Sequence, residues 1–151
     1  MQGLSRRNAI GLSCLLLADA ASVLRAIAAE PAPLAIKGYD PVAYFTDGRP
    51  VPGRPEIEYE WDDHRYRFAI LKHRELFKAD PTRYAPQFAN FCAMALSQGE
   101  IVVANPENWL ISDGRLYLFG KREGPELFRR NLAGNIDLAN RNRPLIQDDR
   151  R

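Results

Sequence analysis

Cysteine, histidine and methionine are scarce in this sequence, each occurring only twice in 151 residues. A paired-cysteine zinc motif or a disulfide framework therefore lacks the residues to build it. No glycine-rich phosphate loop and no Ser-His-Asp arrangement is recognisable, so the common nucleotide-binding and hydrolase signatures are missing too. Long apolar runs are also lacking. The longest lies between Ala9 and Leu24, and Asp19 interrupts it. A membrane span needs roughly 20 apolar residues, and a carboxylate at its centre costs about 3 kcal/mol. Excess charge of one sign is small, at +2. That falls short of the basic surplus that phosphate-backbone binding draws on, so no nucleic-acid partner is expected.

What is present at the N-terminus is an arrangement of three parts. Met1 to Arg7 is basic, with paired arginines in Ser5-Arg6-Arg7; an apolar stretch follows; Ala26-Ile27-Ala28 then supplies small residues suited to cleavage at Ala28. The pattern predicts an export signal over residues 1–29. Arg6 and Arg7 point to the twin-arginine route, whose translocon carries folded cargo, and Arg25 before the cleavage site suits that route. An amphipathic anchor that stays attached is the alternative. The expected location is the periplasm, with no stable membrane span after cleavage. Loss of residues 1–29 removes Arg6, Arg7, Arg25, Asp19 and Cys14. About 120 residues remain, enough for one domain with a core. They are near neutral, and Cys92 is their one cysteine.

Residues 30–35 are proline-rich and read as an extended tether, residues 36–147 as the domain and residues 148–151 as a charged tail. Val42 to Phe45 has strand character. Ile57 to Trp61 alternates apolar and acidic residues, Asp62-Asp63-His64 turns, and Tyr66-Arg67-Phe68 returns with the same period, which predicts a hairpin. Leu71 to Ala79 predicts a helix that Asp80-Pro81 ends, and a second helical stretch starts near Thr82. Cys92 to Leu96 predicts a short buried helix ended by Gly99. Trp109 to Ser112 and Arg115 to Phe119 flank Asp113-Gly114, a strong hairpin signal because a type I′ turn needs positive φ at both central positions. Pro125 to Leu132 and Ile136 to Asn142 complete the helices. The expected fold class is α+β: a single domain with a small antiparallel sheet built from hairpins and helices packed against it.

The segment from Tyr39 to Tyr84 resembles the YHS domain. Asp40-Pro41-Val42, Tyr66-Arg67-Phe68, Phe77 and Asp80-Pro81-Thr82-Arg83-Tyr84 carry that likeness. Gly38 to Phe45, Tyr84-Ala85-Pro86-Gln87-Phe88 and Phe91-Cys92-Ala93 are similar to an exported bacterial branch of the family, some members of which carry selenocysteine. The family's metal-handling members hold ions through cysteines. At the corresponding positions this chain has Ala43, Ala69 and His73. The selenocysteine of the exported branch falls at the position of Cys92, which implies chemistry there.

Cys92 is thus the first candidate. As a small core residue it would be inert, since free cysteine is among the most buried residue types. At a helix N-terminus the helix dipole would favour its thiolate and make it nucleophilic. His73, on the helix after the first hairpin, is either an exposed helical residue or a base and co-ligand reaching Cys92. Met94 is either core or a third soft donor. Cys92, His73 and Met94 together would suit copper(I) or another soft metal ion. His64, at a hairpin tip, is expected to be solvated, and Asp62-Asp63 to be a turn pair. Asp40 is expected to cap a neighbouring backbone turn. No catalytic residue follows from these patterns, and the expected activity is binding or redox-linked, not enzymatic. The alternatives are a structural or interaction module with Cys92 as inert core, and a thiol oxidoreductase that would need a partner thiol.

Overall fold

A computed structural model describes residues 31–148. The predicted export signal, with Arg6, Arg7 and Ala28, lies outside the described residues. Among those described, no helix is long and apolar enough to cross a membrane.

The class is α+β, as expected. Both hairpins form: β1 (Arg54–Trp61) with β2 (His64–Phe68), and β3 (Asn105–Ser112) with β4 (Arg115–Phe119). Both pairs are antiparallel, and each carries a register irregularity in its longer strand. They do not merge into one sheet. The outer edge of β2 is occupied by the start of the described chain, where the Arg65 N–H donates to the Pro33 carbonyl at 2.9 Å. The outer edge of β4 is occupied by residues 86–87, where the Gln87 N–H donates to the Leu116 carbonyl at 2.9 Å. With those edges filled, β2 and β4 have no free ladder to offer each other. The same contact at Pro33, with Ala35 buried, puts part of the predicted tether into the packed body.

Alternate residues of the second hairpin face opposite ways. Leu116 and Leu118 enter one core cluster with Tyr44, Tyr66, Phe68 and Phe77. Tyr117 and Phe119 enter another with Cys92, Leu96 and Phe128. The hairpin is therefore a partition covered on both faces, which explains why Leu116-Tyr117-Leu118-Phe119 is continuously apolar.

The predicted strand at Val42 to Phe45 is instead a helical turn, α1 (Ala43–Thr46). Both oxygens of the Asp40 side chain are recruited. Oδ1 accepts from the Val42 N–H at 2.8 Å and the Ala43 N–H at 3.3 Å. Satisfying the first donors of the turn this way outweighs the β preference of Val42 and Tyr44. Helices α2 (Leu71–Ala79) and α3 (Pro81–Tyr84) follow the first hairpin, the latter capped by Asp80. Helix α4 (Ala93–Ser97) sits between the hairpins and ends at Gly99, whose φ is +80°. Helices α5 (Gly124–Arg129), α6 (Leu132–Arg141) and α7 (Arg143–Asp148) close the second cluster, one helix more than the sequence predicts. The break falls at Asn142, the C-cap of α6, and Pro144 then sits in the first turn of α7, where its missing N–H costs nothing.

Candidate functional site

Cys92 is the N-cap of α4. Its backbone is extended, with φ −69° and ψ 116°, and its Sγ accepts the Ala95 N–H at 3.4 Å. Two contacts hold it there: the Cys92 N–H donates to the Val102 carbonyl at 2.8 Å, and the Leu96 N–H donates to the Cys92 carbonyl at 3.0 Å. A sulfur in this position takes a backbone donor that would otherwise lack a partner.

The residue is only 6% exposed, yet it lines a cavity of about 200 Å³. Met94, Glu100, Val102, Lys121, Glu123 and Leu127 also contribute to its wall. The wall is thin on one side because of Gly120. A Cβ there would lie 3.0 Å from Val102 Cγ1 and 3.8 Å from Cys92 Cβ. The neighbouring Ile101, Val102 and Val103 are exposed apolar residues.

Met94 and Cys92 share this cavity; His73 does not line it. His73 is on α2, one turn before Phe77, and that shared face turns it inward, leaving it 5% exposed. It is not an exposed helical residue. Its Nδ1 donates to Asp40 Oδ2 at 2.7 Å, and its Nε2 is 3.2 Å from Thr46 Oγ1. Both ring nitrogens are thus engaged away from the thiol. The pairing of His73 with Cys92 that the sequence left open is not formed, because Phe77 packs in the first cluster and Cys92 in the second. Among the described residues no group of three or more histidine, cysteine or carboxylate side chains is placed to hold a metal ion. Cys92 and Met94 border one cavity, with Glu100 and Glu123 elsewhere on its wall. Thiolate and thioether suit copper(I) better than zinc or calcium.

Comparison of the chain with protein-family models, curated proteins and solved structures finds no match.

The remaining candidates fall as follows. Asp40 caps the backbone turn, as the sequence suggested, and also takes the Ala69 N–H at 2.8 Å. Asp62 and Asp63 are the turn pair, with φ of 48° and 58°. His64 is not solvated: it is buried, its Nδ1 donates to the Asp62 carbonyl at 2.8 Å, and its ring packs near Tyr66. As first residue of β2 it faces inward with Tyr66 and Phe68, the same parity that defines the core face. Glu100, Lys121 and Glu123 were not singled out by sequence. They are charged loop residues without a motif, and only the folded chain collects them around the thiol.

Proposed function

We propose that this chain is an exported, periplasmic binding protein of the YHS-domain kind, in which Cys92 supplies a thiolate to a soft ligand such as copper(I). The observation that carries this reading is the position of Sγ: it accepts a backbone N–H at the start of α4 and borders a cavity shared with Met94. Thiolate ligation needs a sulfur that borders open space, and thioether is a second soft donor in proteins. The absence of a second cysteine after removal of the export signal argues for binding over disulfide catalysis. Passage through the twin-arginine route in the folded state would let the ligand be loaded before export.

Titration of the native mature protein with a chromogenic disulfide tests the thiol directly. Stoichiometric labelling at neutral pH without denaturant is expected; labelling only after unfolding would remove Cys92 from any role. Copper(I) competition against a chromophoric chelator should then show weaker binding by Cys92→Ser, and a smaller loss by Met94→Leu. Equal affinities across the three proteins would exclude the proposed ligands. Export is tested separately by Arg6→Lys with Arg7→Lys, which should trap the precursor in the cytoplasm.

A second reading has one observation in its favour. Cys92 is 6% exposed and packs in a cluster with Leu96, Phe119 and Phe128, as an inert core residue would. The chain is then an interaction module, and the same titration separates the two.

A further inference from the structure

The thiol cavity is small beside a second concavity elsewhere in the chain. A cleft of about 680 Å³ runs beside the turn of the first hairpin, bordered by Trp61, Thr82 and Gln87 among others. A cavity of about 340 Å³ adjoins it, lined by Phe88, Tyr117 and Asn140. Gln87, Arg115 and Arg143 border both.

The two arginines are held close together by one residue. Arg115 Nη1 donates to Gln87 Oε1 at 3.2 Å, and Arg143 Nη1 donates to the Gln87 carbonyl at 2.9 Å. Arg143 Nη2 also donates to Asn140 Oδ1 at 3.0 Å, and its guanidinium lies over the Phe88 ring at 5.0 Å from the centroid. Every one of these partners is neutral. Among the described residues neither arginine forms an ion pair, although Asp113 borders the smaller cavity. Two guanidiniums therefore converge with N–H donors to spare, and Asp113 on the same wall forms an ion pair with neither.

Tyr117 completes the arrangement. Its side chain is packed between Phe88 and Phe128, and the residue is 3% exposed. Yet among the described residues its hydroxyl has no hydrogen-bond partner. The hydroxyl opens to the smaller cavity, which Tyr117 lines, so it is available to a ligand. Burial raises its pKa; Arg115 acts against that shift, Asp113 adds to it and Arg143 again opposes it, which puts the phenol within electrostatic reach of both cations and of one carboxylate.

We propose that the joined cavities bind a small molecule through an oxyanion group, a carboxylate or a phosphate, held by Arg115, Arg143 and the Tyr117 hydroxyl. Planar guanidinium forks match either oxyanion in bidentate fashion, and the phenol donates a further hydrogen bond. The larger cleft accommodates the rest of the molecule against Trp61. Asp62 and Asp63 border that far end, so a second anionic group there would be repelled. The site is independent of the Cys92 reading.

Nitrogen-15 NMR of the arginine side chains tests this, with inorganic phosphate and acetate as separate probes. Saturable shifts at Arg115 and Arg143 are expected with at least one anion at millimolar concentration, and the tighter of the two identifies the oxyanion class. Arg115→Gln should weaken that binding about tenfold, and Tyr117→Phe several-fold. Both variants keep the contacts by which Arg143 anchors α7, and circular dichroism checks that the fold is intact. No saturable shift with either anion overturns the proposal. So does an affinity that both variants leave unchanged.

Discussion

Asp40 is fully buried and accepts four hydrogen bonds, from the backbone of Val42, Ala43 and Ala69 and from the ring of His73. One carboxylate thereby ties α1, the end of β2 and α2 together. Its removal leaves those donors buried without acceptors, a costlier outcome than the loss of any single bond. Asp40→Ala is expected to lower stability by about 3–5 kcal/mol, read as a fall in the urea midpoint. His73→Ala leaves the three backbone donors satisfied and should cost less. Tyr44 offers a pH-dependent test at the same scale. Its hydroxyl donates to the Pro106 carbonyl at 2.9 Å, and its pKa is raised chiefly by burial, with Glu107, Tyr39 and Asp40 adding to the effect. The folded chain holds this proton at alkaline pH where the unfolded chain has lost it. The stabilisation is complete below about pH 10 and declines as pH rises beyond it. In Tyr44→Phe the alkaline decline should flatten, while stability at neutral pH drops by about 1 kcal/mol from the lost bond.

At the scale of elements, the two hairpin turns solve one geometric problem with different residues. Both central positions have positive φ: 48° and 58° at Asp62 and Asp63, 49° and 68° at Asp113 and Gly114. A side chain in the left-handed region costs about 1 kcal/mol, and glycine escapes it. Asp63→Gly is therefore expected to raise the thermal midpoint, by about 1 kcal/mol of stability, whereas Gly114→Asp should lower it by a similar amount. Calorimetry of the two variants checks both signs. Helix α4 shows how weak a local signal becomes informative in context. Its small apolar residues and the glycine after it were legible, but the role of Cys92 Sγ as cap depends on where Val102 anchors the preceding backbone.

For the whole molecule, the second hairpin is the shared wall of two clusters. Leu116 and Phe119 are both fully buried but on opposite faces. Leu116→Ala and Phe119→Ala should each cost about 2–5 kcal/mol, and neither should unfold one cluster alone. Coincident urea transitions by near-ultraviolet and far-ultraviolet circular dichroism are expected for both variants. Two separated transitions would show that the partition does not couple the clusters.

The sequence by itself determined both hairpins, the helix after the first, the short helix at Cys92 and the solitary status of that thiol among the described residues. These features depend on residue spacing and turn chemistry, which act over a few positions. It misled at Val42 to Phe45 because β propensity is overridden once Asp40 supplies acceptors for the turn. It left His64 wrongly solvated and His73 either exposed or facing Cys92, because polar neighbours hide which face of an element turns inward. Only the tertiary structure decided that the hairpins stay in separate sheets, that His73 pairs with Asp40, and that Cys92 shares a cavity with Met94. Likewise, Gln87, β4 with Arg115 and Tyr117, and Arg143 at the start of α7 are three separate segments, and no local pattern marks them as neighbours. Their convergence is a consequence of how strand edges and helix faces are filled, which is settled by long-range packing and not by spacing along the chain.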